Sequence, residues 1–308
     1  MGEIQVESRS QLLTRARRPA LTVKDFKGKA DPDWCPGCGD FGVLNALKTA
    51  VAELGLLPHE VLTISGIGCS SNLPGYINTY GMHTLHGRAL AVATGAQLGN
   101  HRLKVVVTGG DGDGFGIGGN HFLHVMRRNV DLTYLVMDNQ IYGLTTGQVS
   151  PTSRKGMKTK STPYGSVENP VNPIPMAIVC GATYVARGSS GQQKHLVSLI
   201  KAGMEHRGFA FIDVFSPCVT YNHENTHEFF KQRTRKLEEM GHDPTDLHAA
   251  IERGREWGDT IPIGLFYKND DVPALDELEP MLAEGGALAR RSLEVSTENA
   301  RALVEELL

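Results

Sequence analysis

Val105-Val-Val-Thr-Gly-Gly-Asp-Gly-Asp-Gly114 is a run of β-branched apolar residues that ends in an acidic, glycine-rich turn. Val105 to Val107 suits a short parallel strand buried on both faces. Leu132-Thr-Tyr-Leu-Val-Met137 suits a second one, followed by Asp138-Asn-Gln-Ile-Tyr-Gly143. Between them Ile117, Leu123, Val125 and Met126 predict one apolar side of a crossover helix ending near Arg127-Arg128-Asn129. Strand, turn, helix and strand make a βαβ unit, and open α/β sheets bind ligands at the carboxyl ends of their strands. The expected fold is therefore α/β, a mainly parallel sheet flanked by helices, with the turn after Val107 as candidate site.

Three readings compete for that turn. Gly114-Phe-Gly-Ile-Gly-Gly119 fits the dinucleotide pattern, which is weak alone, and Asp111 and Asp113 would repel a bare pyrophosphate. A calcium loop starts well at Asp111 and Asp113 but fails at Phe115, and at Phe122 where a bidentate Glu belongs. The third reading is a diphosphate held through Mg²⁺, with one hard oxygen from Asp111 and another from Asn139 at the tip of the neighbouring strand. A backbone carbonyl near Ile141 is available as a third ligand. Mg²⁺ commonly takes few protein oxygens and completes its octahedron with phosphate and water.

Working outward, Val61-Leu-Thr-Ile-Ser65 predicts another strand, followed by the small-residue turn Gly66-Ile-Gly-Cys-Ser-Ser71. His83 and His86 precede an apolar helix from Ala89 to Leu98. His86, beside Gly87 and Arg88, stands where a helix N-terminus can meet a diphosphate. The stretch from Leu144 to Lys160 reads as a long irregular loop, in which Lys155, Lys158 and Lys160 are either a solvated run or a receiver for acidic groups. Asn172-Pro-Ile-Pro-Met176 opens a helix holding Cys180, expected to be a buried structural thiol. Phe209-Ala-Phe-Ile-Asp-Val-Phe215 is a further strand, and Ser216-Pro-Cys218 its turn.

Four other cysteines form a pattern. Cys35 and Cys38 share the turn Trp34-Cys-Pro-Gly-Cys-Gly-Asp40, with Asp40 as expected N-cap of a helix carrying Leu44, Leu47, Val51 and Leu54. A thioredoxin-like redox pair would follow a hydrophobic strand, and Lys29-Ala-Asp-Pro-Asp33 is not one. Cys69 and Cys218 each follow a predicted strand, so one rim of a parallel sheet can collect four thiolates. Such a set suits Zn²⁺ or an iron–sulfur cluster, and spacing does not choose between them.

Gly110-Asp-Gly, Ile-Gly-Gly-Asn-His121, Arg-Arg-Asn129 and Asp138-Asn-Gln-Ile-Tyr-Gly-Leu-Thr145 together resemble the β subunit of the 2-oxoacid:ferredoxin oxidoreductases. The resemblance runs from about Trp34 to Tyr221 and is nearest the 2-oxoglutarate branch. It implies thiamine diphosphate and Mg²⁺ on Asp111, Asn139 and Ile141, with Ile67, Gly68, Ser70, His86, Gly112, Asp113, Gly143 and Leu144 around the cofactor. It also implies a [4Fe–4S] cluster on Cys35, Cys38, Cys69 and Cys218. The implied reaction turns a 2-oxoacid and coenzyme A into acyl-coenzyme A and CO₂, with electrons passing to ferredoxin. The family's activating Glu comes from a separate pyrimidine-binding domain, so this chain is expected to be half a site, with no catalytic residue of its own and an α or fused γ/α subunit as partner. Many relatives read Leu-Thr-Lys-Gly-Gln where this chain has Thr146, which leaves coenzyme A or substrate contacts there open. A non-oxidative thiamine-dependent decarboxylase subunit and a zinc-stabilised interaction protein are the alternatives.

Composition narrows the classes. A chain of 308 residues with 40% hydrophobic residues can bury a sizeable core, and a mixed net charge of −3 argues against a nucleic-acid surface. No apolar run approaches the ~20 residues a membrane helix needs. Five cysteines without a recognisable secretory signal predict a cytoplasmic protein without a disulfide framework. The expected division is an arm over residues 1–30, in which Arg15, Arg17 and Arg18 mix with Glu3 and Glu7, a cofactor- and cluster-bearing domain over 31–225, and a helical extension over 226–308.

Overall fold

A computed structural model of the chain describes residues 20–284, 286–292 and 294–307. The arginines and glutamates of the N-terminal arm lie outside the described residues. The core is an eight-stranded sheet in the order β2-β1-β3-β4-β6-β5-β8-β7. Its strands are β1 (Val61–Ser65), β2 (Tyr80–His83), β3 (Lys104–Gly110), β4 (Leu132–Asp138), β5 (Tyr184–Ser189), β6 (Phe209–Phe215), β7 (Thr234–Lys236) and β8 (Ile261–Lys268). Every neighbouring pair is parallel except β5 with β8. Four adjacent strands, β1, β3, β4 and β6, thus end on one rim.

Helices cover both faces. Val106, Leu135 and Ile212 point to the face covered by α1 (Asp40–Glu53) and α5 (Gln193–Glu205). Val105, Val107, Tyr134, Val136 and Phe211 point to the opposite face, under α2 (Ala89–Gly99), α3 (Gly119–Arg127) and α4 (Pro173–Val179). The alternation explains why β4 and β6 are buried at every residue and carry few polar side chains.

The crossover helix α3 presents a different stripe from the one expected. Phe122, Val125 and Met126 are buried as an i, i+3, i+4 stripe, which turns Leu123 to solvent, while Ile117 is exposed in the π-helical turn Gly112–Ile117 before α3 begins. Asp40 is the first helical residue of α1 rather than its cap, a place taken by Gly39. Cys180 caps α4 and is only partly buried, beside a Val179 that is 73% exposed. The C-terminal segment contains α6 (His227–Arg233) and α7 (Leu247–Arg255), and it also returns to the sheet through β7 and β8. No helix among the described residues is long and apolar enough to cross a membrane.

Candidate cofactor and cysteine site

Asp111 stands at the carboxyl end of β3 and is 1% exposed. Its Oδ2 accepts hydrogen bonds from Thr152 Oγ1 at 2.5 Å and from Ser150 Oγ. Thr152 Oγ1 also lies 2.9 Å from Asp138 Oδ1, so two buried carboxylates share one hydroxyl. Burial pushes the Asp111 carboxyl up to about 6, although Ser150 and Thr152 pull it down. Asp138 is raised well above the usual carboxylate range by burial first, then by the charges of Asp111 and Asp213. Buried acids held this way are short of positive charge, and a divalent cation at Asp111 would supply it.

Asp113, two residues on, has a different task. Its Oδ1 accepts the backbone N–H groups of Gly87 at 2.7 Å and Ile67 at 3.0 Å, and lies 3.1 Å from His86 Nδ1. One carboxylate thereby ties the loops after β1 and before α2 to the loop after β3. Gly87 suits this crossing because its φ is +67° and a Cβ would meet Gly118 N at 2.6 Å. Across the site, Asn139 Oδ1 accepts the N–H of Ile141 at 3.0 Å, and Asn222 Nδ2 donates to the Asn139 carbonyl at 2.8 Å. Tyr142 Oη donates to the Gly112 carbonyl at 3.1 Å, and a Cβ on Gly112 would meet that ring at 2.1 Å.

These groups enclose one cavity of ≈540 Å³, lined by Ile67, Gly68, Ser70, His86, Asp111, Gly112, Asp113, Asn139, Ile141, Gly143 and Leu144. The cavity also reaches Cys69. Asp111 and Asn139 come from neighbouring strand ends, and the donor set of buried carboxylate, amide and backbone oxygens fits Mg²⁺ beside a diphosphate. His83 hydrogen-bonds Ser65 Oγ at 2.9 Å, outside this cavity. Lys155, Lys158 and Lys160 are exposed, as is Thr146, whose φ of +74° is unusual for a β-branched residue.

The cysteines gather beside the cavity. A Cβ on Gly143 would stand 3.5 Å from Cys218 Sγ and 3.8 Å from Cys69 Sγ, which places those two sulfurs within about 7 Å of each other. Cys35 and Cys38 are held to the same place by backbone. Gly39 N donates to the Pro217 carbonyl at 3.1 Å, His227 Nε2 bonds the Gly37 carbonyl at 2.9 Å, and Trp34 Nε1 donates to the Cys69 carbonyl at 2.7 Å. Burial raises the thiols of Cys38 and Cys69, the latter to about 11, with the Asp40 charge and other cysteines of the set adding to the rise. Thiols that are costly to ionise alone are suited to a cationic guest that binds them as thiolates. Among the described residues no three Cys, His, Asp or Glu side chains close on a point as around a single ion.

Sequence reasoning missed several supporting residues. Ser150 and Thr152 lie in a stretch read only as an irregular loop, yet Ser150-Pro-Thr-Ser153 folds back under Asp111 and Gln140. Asp40 is expected only as a cap, and its carboxylate instead accepts Ser216 Oγ at 2.5 Å, which ties the Cys35–Cys38 turn to that of Cys218. Neither connection leaves a local signal in the sequence.

Comparison with known proteins agrees with this geometry. Residues 66–214 match the family described as thiamine pyrophosphate enzyme, C-terminal TPP binding domain, and residues 218–284 match the C-terminal family of the pyruvate ferredoxin oxidoreductase beta subunit. The chain is 48% identical over 272 residues to 2-oxoacid:ferredoxin oxidoreductase 1, subunit beta, of Aeropyrum pernix, covering 85% of each. It is 47% identical over 199 residues to the 2-oxoglutarate oxidoreductase subunit KorB of Mycobacterium tuberculosis, covering 65% of this chain and 53% of that one. A solved structure of 2-oxoglutarate:ferredoxin oxidoreductase from Magnetococcus marinus, with 2-oxoglutarate, coenzyme A and succinyl-CoA bound, superposes with a TM-score of 0.85. That structure is 47% identical in sequence, and the match covers 92% of this chain and 96% of that one.

Proposed function

Because the chain belongs to the β subunits of the 2-oxoacid:ferredoxin oxidoreductases, we propose that it carries the thiamine diphosphate half-site and the [4Fe–4S] cluster of a 2-oxoglutarate-preferring member. The observation that carries this is the wall shared by the two candidate sites. Gly143 and Cys69 line the cofactor cavity, and Gly143 lies against Cys69 and Cys218. Electrons leaving a substrate in that cavity would meet the cysteine set without crossing the protein.

Asp111, Asn139 and the Ile141 carbonyl would hold Mg²⁺, while the loops at Gly68 and Gly112 receive the diphosphate and His86 sits at its edge. Asp113 positions those loops rather than meeting the cation. Cys35, Cys38, Cys69 and Cys218 would hold the cluster. When bound, thiamine diphosphate supplies the carbanion-stabilising chemistry that decarboxylation of a 2-oxoacid needs, and the cluster takes electrons one at a time. Coenzyme A would accept the acyl group and ferredoxin the electrons, and an α or fused γ/α subunit would bring the aminopyrimidine-binding domain with its activating Glu. Residues 31–225 would carry both sites, with 226–308 as their flank. The five free thiols suit a reducing, cytoplasmic setting.

The test is anaerobic purification with the partner subunit, followed by a panel of 2-oxoacids assayed by viologen reduction. A brown, coenzyme A-dependent enzyme with 2-oxoglutarate preferred is expected. Retention of the visible chromophore in Cys69→Ser and Cys218→Ser, together with its loss in Cys180→Ser, would overturn the ligand set.

A further inference from the structure

A second cavity, of ≈550 Å³, lies beyond the wall formed by Asp138 and Thr152, on the side of the sheet rim away from the cofactor cavity. Val171, Pro173, Phe229 and Trp257 give it an apolar wall, and three carboxylates, Asp138, Glu224 and Asp259, line it together with three arginines. At its base is Arg187, 1% exposed on β5. Arg187 Nε donates to Asp213 Oδ2 at 2.9 Å, and the guanidinium lies between the rings of Phe215 and Phe266, at 5.2 and 5.5 Å. Its Nη1 is buried and meets no hydrogen-bond partner among the described residues. A guanidinium must place five N–H donors, and leaving a buried one unmet is destabilising. Arg233 and Arg154 stand at the same cavity. Arg154 is engaged by Glu224, whereas Arg233 rests on the Phe229 ring at 4.3 Å with one donor on the Phe229 carbonyl.

We propose that this cavity is a second small-molecule site, which takes an organic anion with a flat apolar body and seats its acid group on Arg187 and Arg233. The acid oxygen meets the free Nη1 donor, and the body lies against Trp257 and Phe229. The proposal goes beyond the oxidoreductase reading and does not depend on it. The sites share Thr152, which lines the second cavity and donates to Asp111 in the first. An occupant can therefore be felt at the Asp111 carboxylate without entering the first cavity.

The probe is 8-anilinonaphthalene-1-sulfonate, titrated into the full chain with saturating thiamine diphosphate and Mg²⁺. Trp257 is one of only two tryptophans in the chain, so energy transfer from it reports where the probe sits. One saturable site is expected, with sensitised emission that drops in Trp257→Phe, and with displacement by benzoate but not by benzyl alcohol. Arg233→Gln, at a partly buried position, should weaken binding roughly tenfold, the loss of about one hydrogen bond to a charged group. Arg187→Met should abolish it, with circular dichroism showing whether that variant folds; if it does not, Arg233→Gln and Trp257→Phe still decide. Binding that thiamine diphosphate competes away, that benzyl alcohol displaces as well as benzoate, or that neither rim variant alters would overturn the proposal.

Discussion

Asp111 combines complete burial, two hydroxyl donors and a carboxyl raised to about 6. Replacement by Ala removes the charged oxygen proposed to face the diphosphate and leaves Ser150 and Thr152 to hydrogen-bond each other or water. Asp111→Ala should thus fold but lose Mg²⁺-dependent thiamine diphosphate binding by roughly 100-fold or more, on the scale of two or three such contacts. Asn139→Ala, which removes a neutral oxygen, should lose less. Calorimetry with the cofactor and Mg²⁺ measures both, and unchanged affinity in Asp111→Ala would falsify the assignment. A second residue sets a pH limit. Burial holds His206 below its ordinary value of 6.5, with Nε2 on Thr183 at 2.7 Å and Nδ1 3.3 Å from Asp270. A base whose folded pKa is depressed stabilises the fold above its unfolded value, and that part is lost as pH falls through the folded one. His206→Gln should therefore flatten the decline in urea midpoint below about pH 6.5. An acid limb as steep as that of the unsubstituted chain would show that other groups govern it.

At the scale of elements, the glycine-rich turn is where sequence and structure agree best. β3, the turn, α3 and β4 lie within a few residues of their expected places, because a buried parallel strand needs an uninterrupted apolar run and such runs are hard to mistake. The turn also has no room. A Cβ on Gly112 would press on Tyr142, and one on Gly114 would meet Tyr134 Oη at 2.2 Å. Gly112→Ala should push the Tyr142 ring away from the turn, breaking its bond to the Gly112 carbonyl and opening the cavity floor. Cofactor affinity should fall at least tenfold, whereas Tyr142→Phe, which loses only one hydrogen bond of about 1 kcal/mol, should fall several-fold. Equal affinities for the two variants would mean that the ring's position is immaterial. β8 was illegible for a physical reason. Ile261-Pro-Ile-Gly-Leu-Phe-Tyr-Lys268 contains a proline and a glycine, both of which argue against a central strand. The strand tolerates them by changing partners. Residues 261–263 pair with β7 and 264–268 with β5; Gly264, at φ +128°, stands where the partner changes, and the β5 register shifts at Phe266, between the Tyr267 and Leu265 pairings. The buried Arg187 on β5 hid that strand in the same way, since its counter-charge at Asp213 is supplied by another strand.

At the scale of the whole molecule, the described residues form one sheet whose rim carries both the cofactor cavity and the cysteines. That concentration came through in the sequence because each loop carries a short polar signal directly after an apolar strand. What could not be read was which residues hold the loops against each other, since Asp113, Asp40 and Thr152 act on partners distant in the chain. The same rim presents exposed apolar surface. Ile67, Leu144 and Leu85 present apolar surface at 44%, 56% and 75% exposure, on the three loops that Asp113 and its neighbours gather. Among the described residues Asp111 and Asp113 are the carboxylates that line the cavity, Asp113 holding the loops at Ile67 and Gly87 and Asp111 accepting the hydroxyls of Ser150 and Thr152. On the proposed reading, the activating Glu would come from another chain. General acid–base help of that kind is worth roughly 10²–10⁴-fold, and the orientation of the cofactor would be lost with it. The isolated chain should therefore bind thiamine diphosphate weakly and show no 2-oxoacid-dependent viologen reduction, and adding the partner subunit should restore both, with coenzyme A required for full turnover. Charged substitution at Leu85, 75% exposed, should weaken that restoration while leaving the chain folded. Full activity from the isolated chain, once mass spectrometry excludes the partner, would show that the site is complete within it.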